Sequence, residues 1–114
     1  MIAGDIHWVE LPIIGGREQA GRRPAIVLQE DGYAAALPTT VVVLLTSAIG
    51  ALRFAGTQLI KATQASGLRA DSVALVFQIR ATDRSRVRAK LGSVSEEELR
   101  ELRSELSKLF GIAT

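Results

Sequence analysis

Cysteine is absent from the 114 residues. Its absence excludes disulfides, thiolate nucleophiles and zinc–thiolate sites. Histidine occurs once, as His7, so one chain cannot supply the two imidazoles of a paired acid–base site. A Ser-His-Asp triad would have to rest on His7, and no G-x-S-x-G turn accompanies it. His7 falls inside the first expected strand and reads as a surface or edge residue. Glu30 and Asp31 adjoin in a turn without a third ligand nearby in sequence, so no metal site is expected. Gly15-Gly16 and Gly21 do not form G-x-G-x-x-G, and no G-x-x-x-x-G-K-[ST] loop occurs, so both common phosphate cradles of nucleotide enzymes are missing. Long apolar runs are missing too. The longest, Val41 to Leu45 and Val73 to Phe77, are strand-sized. Met1-Ile2-Ala3-Gly4-Asp5 has neither the basic nor the apolar region of a secretory signal. The expectation is a cytoplasmic protein with no membrane span and no cofactor.

The composition is that of a globular chain, with 47% hydrophobic and 23% charged residues, and the length suits one domain over residues 1–114. Net charge is +2 but unevenly placed. Between Gly15 and Val94 stand eleven Lys/Arg against five Asp/Glu, whereas the last segment holds Glu96, Glu97, Glu98, Glu101 and Glu105. A basic body suits a polyanion or an acidic peptide, or simply solvated arginines.

Periodicity predicts strands over Asp5–Leu11, Pro24–Gln29, Thr39–Thr46, Thr57–Lys61 and Ser72–Ile79. In the first, alternation puts Ile6 and Trp8 on a different side from His7 and Val9. The fourth is polar enough for an edge. The fifth reaches the core through Val73, Leu75 and Phe77. Glu30-Asp31-Gly32-Tyr33 has turn chemistry, and Gly67 to Asp71 turns the chain again. From Ser85 to Leu91 basic and small or apolar residues alternate, so Arg86, Arg88 and Lys90 share one face of an extended segment. That pattern suits a basic stripe, and equally a half-buried strand with a charged wet face. Ser95 with Glu98 forms a capping box, and Leu99, Leu102, Leu106, Leu109 and Phe110 make the apolar face of a helix ending near Gly111. The fold class expected is mainly β with helical trim: a small, strongly bent barrel plus a C-terminal helix.

The most informative stretch is Gly16-Arg17-Glu18-Gln19-Ala20-Gly21-Arg22-Arg23-Pro24, a charged, glycine-hinged loop leading straight into the apolar run Ala25-Ile26-Val27-Leu28. Elimination leaves chemistry by arginine, carboxylate, hydroxyl and backbone N–H. Cleavage of RNA by its own 2′-hydroxyl fits that inventory. The substrate brings the nucleophile, and the protein positions it and stabilises charge on phosphorus. Arginine grips phosphate oxygens bidentately, a hydroxyl adds a hydrogen bond, and Glu18 can accept a proton or hold an arginine in place. On residues alone, Arg23 equally suits a strand-start arginine paired with Glu18 or Asp31, and Thr46 a β-favouring residue at a strand end.

The pattern G-x-E-Q-x-G-x-R-P before a β-run resembles the signature of the PemK/MazF toxin family. Gly4-Asp5-Ile6-His7-Trp8-Val9 is similar to the family's opening strand, Arg23-Pro24-Ala25-Ile26-Val27-Leu28 to its second, and Leu44-Leu45-Thr46-Ser47 to a strand end. Asp71-Ser72-Val73-Ala74-Leu75-Val76-Phe77-Gln78-Ile79-Arg80 resembles a later strand. The resemblance implies an SH3-like, CcdB/PemK-type β-barrel, usually a homodimer, and a toxin held by a cognate antitoxin whose acidic tail covers the RNA groove. It implies a metal-independent, sequence-selective endoribonuclease that leaves 2′,3′-cyclic phosphate and 5′-hydroxyl ends. Arg23 and Thr46 match the family's catalytic pair, with Glu18 beside them as a catalytic candidate. Arg17, Gln19, Ser47, Ser72, Gln78 and Arg80 are the RNA-binding candidates. Two positions depart from the pattern: Arg17 stands where many members carry serine, and Phe77 where some carry an acid. The rival readings are a non-enzymatic CcdB-like poison of a DNA topoisomerase, of whose C-terminal element Phe110-Gly111-Ile112 is only a weak echo, and an inactivated toxin that only binds antitoxin.

Overall fold

In the computed structural model, which describes residues 1–11 and 21–112, seven strands form one antiparallel sheet with a helix after the last. The strands are β1 (Asp5–Leu11), β2 (Gly21–Val27), β3 (Thr39–Thr46), β4 (Thr57–Ile60), β5 (Ser72–Leu75), β6 (Arg80–Asp83) and β7 (Val87–Ser93). The helices are α1, one turn at Asp31–Ala34, and α2 (Glu96–Phe110). The order is β4-β5-β3-β2-β1-β7, with β6 also on β3.

The apolar run of β3 is explained by burial on both faces. Val43 and Leu45 join Ile6, Ile26, Ile60 and Leu102 in one cluster, while Val42 and Leu44 join Val9, Ala25 and Val27 in another. Burying Val, Leu or Ile fully contributes about 1.5–3 kcal/mol each, so these two clusters hold the strands together from both faces of β3. Helix α2 closes the first cluster through Leu102, which is fully buried. Its N-terminus carries the expected capping box, with Ser95 Oγ accepting from the Glu98 N–H at 3.0 Å and Glu98 Oε1 accepting from the Ser95 N–H at 2.9 Å. Glu98 Oε2 also accepts from the Lys61 N–H at 3.0 Å, which ties the helix to the end of β4. The same glutamate thus caps α2 and docks it.

Several local expectations need correction. Strand β2 begins at Gly21, three residues before Pro24. Glu30–Tyr33 does not merely turn: a single helical turn starts at Asp31. Alternation in β1 holds along its ladder with β2: Ile6 and Val9 lie on opposite faces and are both buried because each face carries a cluster, while the β1–β7 register shifts on either side of His7. His7 is not an edge residue. It lies on an inner strand, half-buried, with Nδ1 2.8 Å from the Arg88 carbonyl oxygen. Ser72–Ile79 is not one strand. Val42 pairs with β2 on one side and with β6 on the other, and β5 takes the far end of that second edge of β3. The chain must therefore leave the edge after Leu75 and rejoin it at Arg80, which it does through a 3-10 turn at Val76–Gln78. That turn carries Phe77 out of the core. It is 41% exposed and meets Phe54 edge-on at 6.1 Å. Leu109 and Phe110, expected on the apolar face of α2, are exposed.

Candidate functional site

Strands β2 and β3 and the loop before β5 form the main walls of a cleft of about 740 Å³, which Trp8 of β1, Ser72 of β5 and Leu91 of β7 also line. The β1–β2 ladder sets Arg22 opposite Glu10, Arg23 opposite Val9 and Pro24 opposite Trp8. Arg23 continues the row of Ala25 and Val27, both buried, because residues two apart share a face. Its base is therefore anchored in the core while its guanidinium lines the cleft. Thr46 closes β3 opposite Val73, and Ser47 follows it. Thr46 Oγ1 accepts from the Ala48 N–H at 3.2 Å. A hydroxyl that accepts still has its own proton to donate, and the cleft is where this one can donate it.

The third wall is the loop from Ala62 to Asp71, and glycine decides where it lies. A Cβ on Gly67, which has φ +68°, would collide with the Leu91 carbonyl oxygen, and one on Gly92 would collide with the Ala65 carbonyl oxygen. Only two glycines let loop and β7 approach so closely, and the Ser93 N–H then bonds to the Ala65 carbonyl at 2.8 Å. Within the loop, the buried Ser66 hydroxyl donates to the Thr63 carbonyl at 3.1 Å, and the Thr63 hydroxyl accepts from the Ser66 N–H at 3.0 Å. Asp71 accepts from the Ala62 N–H at 2.8 Å and closes the loop at its base. Leu68 and Arg69 are thereby presented to the cleft.

Among the described residues, the cleft is lined by three arginines (Arg22, Arg23 and Arg69), the hydroxyls of Thr46, Ser47 and Ser72, and no carboxylate or histidine. None of the three arginines forms an ion pair among the described residues. Glu10, beside Arg22 on the next strand, is engaged elsewhere. The hydrogen bond from Arg88 holds its carboxyl below the ordinary glutamate range, and the charges of Arg86 and Arg22 act in the same direction. Arginines without acids, beside hydroxyls, make a receptor for a phosphate group.

Of the residues singled out in the sequence, Arg23, Thr46, Ser47 and Ser72 meet in this cleft. Ser72 is nearly buried, and its hydroxyl donates to the Ala70 carbonyl at 3.0 Å, so it shapes the wall. Gln78 and Arg80 are not among the cleft's lining residues. The 3-10 turn that interrupts the strand carries both to the β6 side, where Arg80 pairs with Val42. Arg17, Glu18 and Gln19 lie outside the described residues. Sequence reasoning missed Trp8, Arg22 and Arg69 as wall residues. Arg22 adjoined a chosen arginine, whereas Arg69 sat in what read as a plain turn. Among the described residues, no three His, Asp or Glu gather closely enough to hold a metal ion.

The protein is thus of the mainly-β class with an antiparallel sheet, one C-terminal helix and a cleft of arginines and hydroxyls. It belongs to the family described as PemK-like, MazF-like toxin of type II toxin–antitoxin system, whose pattern matches residues 2–110. It is 30% identical over 114 residues, all of this chain and 94% of the relative, to the endoribonuclease MazF of Staphylococcus saprophyticus. Among solved structures it resembles MazF of Deinococcus radiodurans, with 29% identity and a TM-score of 0.77 over 97% of this chain and 96% of that one. It also resembles a chain of the MazE–MazF complex of the same organism, with 28% identity and a TM-score of 0.79 over 99% and 97%. No helix among the described residues is long and apolar enough to cross a membrane.

Proposed function

We propose that this protein is a toxin that cleaves single-stranded RNA, acting as one toxin domain over residues 1–114 in the cytoplasm. The observation that carries the reading is the convergence of Arg23 and Thr46 in a cleft without carboxylates among the described residues, in a chain of the MazF-like toxin family. The 2′-hydroxyl oxygen attacks the adjacent phosphorus. A new P–O2′ bond forms, the P–O5′ bond breaks, and the products are a 2′,3′-cyclic phosphate and a 5′-hydroxyl. Arg23 clamps the non-bridging oxygens and stabilises the charge they gain, and Thr46 donates a hydrogen bond to the same oxygens. Arginine stays protonated throughout the ordinary pH range, so Arg23 serves as clamp and as donor of the proton that the leaving 5′-oxygen takes up, rather than as base. Glu18, five residues before Arg23 in sequence, takes the 2′-hydroxyl proton or fixes an arginine. No step requires a metal ion or cofactor.

Arg17 and Gln19, the sequence neighbours of Glu18, contact RNA, as does Ser47 just past the end of β3, while Ser72 supports the wall. Gln78 and Arg80, both exposed, contact nucleotides beyond the cleft. The cleft arginines, which pair with no acid among the described residues, also suit the acidic tail of a cognate antitoxin, which would occupy the cleft in place of RNA. The exposed Phe54, Phe77 and Leu109, which line one apolar groove, support a homodimer. Burial of both faces of β3 supports a small SH3-like, CcdB/PemK-type barrel. The test is incubation of the purified protein, freed of antitoxin, with a long mixed-sequence RNA in excess EDTA, followed by mapping of 5′ ends. Discrete cuts bearing 5′-hydroxyls are expected. Absence of cuts, or cuts that persist unchanged in Arg23→Ala, would refute the reading.

A further inference from the structure

The cleft has an aromatic end that the reaction above does not use. Trp8 is the one tryptophan of the chain, and it lines the cleft, half-buried, instead of filling the core. It stands on β1 opposite Pro24, the residue after Arg23. Adjacent strands lie about 4.8 Å apart, so the backbones that carry Trp8 and Arg23 are neighbours, and both residues line the one cleft. The Arg22 guanidinium lies over the indole ring, 4.6 Å from its centroid. Arg22 is exposed, and among the described residues no acid pairs with it. Glu10, on the paired strand, is held by two bonds from Arg88 at 3.0 and 3.2 Å. The guanidinium therefore covers the indole face without being locked there.

We infer that Trp8 is a nucleobase-stacking subsite: an unpaired base of the RNA takes the place of the Arg22 guanidinium on the indole, and Arg22 moves to the phosphate flanking that base. The inference rests on the RNA reading above and adds a positioning residue to it. An unpaired nucleotide presents a π-face and a charged phosphate together, and the wall presents an indole and a mobile cation together. Stacking tolerates any base because every base has a π-face, so Trp8 sets the register of the strand and leaves sequence preference to other residues. Once Arg22 has moved, two arginines, Arg22 and Arg23, flank the stacked nucleotide on consecutive phosphates. The base held on β1 then keeps the next phosphate at Arg23 and Thr46, the placement that in-line attack needs.

The single tryptophan makes the test direct. The full chain is titrated with a short RNA oligonucleotide carrying deoxyribose at its scissile steps, so that it binds without being cut, and tryptophan emission is followed. A set of the same oligonucleotide with one abasic site, moved along position by position, is titrated in parallel. The intact strand is expected to quench the emission. One abasic position should abolish the quenching and weaken binding by about 5- to 150-fold, the usual worth of one stacked base. Trp8→Phe should keep affinity within a few-fold. Trp8→Ala should lose as much as the abasic strand and raise KM for cleavable RNA far more than it lowers kcat. Salt-dependent binding without quenching, or equal binding of every abasic strand, would overturn the subsite while leaving Arg23-dependent cleavage, and hence the RNA reading, standing. If no oligonucleotide binds and no RNA is cut, subsite and RNA reading fall together.

Discussion

Two sets of cations flank β1, and they are treated differently. On the β7 side, Arg88 bonds twice to Glu10, and Lys90 Nζ lies 3.2 Å from Asp5 Oδ1. On the β2 side, Arg22 and Arg23, joined by Arg69 from the loop that packs on β7, face a cleft that holds no acid among the described residues. Residue type does not separate the two sets. What separates them is neutralisation within the fold. A paired cation contributes a little to stability and presents little net charge to a ligand. Clustered cations without acids repel one another, and that cost is recovered when an anion enters. The difference teaches that a basic stripe read from sequence, such as Arg86, Arg88 and Lys90, marks a ligand site only where the fold withholds the acids.

The largest effect that would break this comparison concerns the cleft. Arg23→Ala is expected to lower the cleavage rate by about 10²–10³-fold or more, the usual loss for one preorganised charge stabiliser, with an unchanged melting curve. A cleavage rate within a few-fold of wild type would place the chemistry elsewhere. The next largest concerns the backbone contact that sets the cleft's third wall. Gly92→Ala drives a methyl group into the Ala65 carbonyl and the Ser66 backbone. It is expected to cost about 2–3 kcal/mol in urea unfolding, as overpacking does, and to impair RNA binding because Leu68 and Arg69 move with the loop. Unfolding at the wild-type midpoint would show that loop and strand part without penalty.

The sequence was most legible where a local rule agreed with the tertiary fold. The ends of β1 and β3 matched their apolar patterns, and Ser95–Glu98 formed the capping box that the spacing predicts. It was least legible where a distant partner overrode local pattern. Val73 to Phe77 reads as one apolar strand, but β3 offers its edge to β5 and then to β6, so the run breaks and Phe77 and Gln78 turn away. Alternation in β1 placed Ile6 and Val9 on opposite sides as they are, but no local pattern told that both sides are buried or that β7 slips its register at His7. For the site, Arg23, Thr46 and Ser47 were found through motifs that resemble the family's, Arg-Pro before a β-run and Thr-Ser at a strand end, since on residues alone Arg23 and Thr46 suit structural roles as well. Arg69 carried no such mark. Its place depends on Gly67 and Gly92 meeting across 25 residues, which no local window contains.

The paired side predicts a pH effect. The carboxyl of Asp5 is shielded from water, which pushes its pKa up. The Ile2 N–H, the Lys90 ammonium and the Ser93 hydroxyl outweigh that and hold it below the ordinary aspartate value. His7 Nε2 faces the same carboxylate at 3.9 Å. A carboxyl whose pKa is lowered by folding contributes stability above its unfolded value, near pH 4, and that stability is lost as pH falls through the folded value. Asp5→Asn is therefore expected to cost about 1–2 kcal/mol at pH 7, in the range for hydrogen bonds to a charged group, and to flatten the loss of stability below about pH 4. Parallel urea titrations at pH 7 and pH 3 measure both. Equal acid sensitivity in wild type and variant would assign the acid response to another carboxylate.

The smallest effect sharpens the comparison most, because it turns one side of β1 into the other. Glu10→Gln removes the acid that Arg88 engages and that lies nearest Arg22 on the paired strand, while keeping the side-chain shape. The pair is solvent-exposed, 54% for Arg88 and 47% for Glu10, and such pairs contribute little to stability, so the melting midpoint should stay within experimental scatter. Affinity for a non-cleavable RNA should rise a few-fold. The slope of log affinity against log salt should steepen by about 0.7, the contribution of one added phosphate contact on a single strand. A steeper slope with unchanged stability would mean that Glu10 limits how far the cationic surface of the cleft extends across β1. An unchanged slope would mean that Arg88 lies beyond the reach of the bound strand, and that the RNA track ends at Trp8.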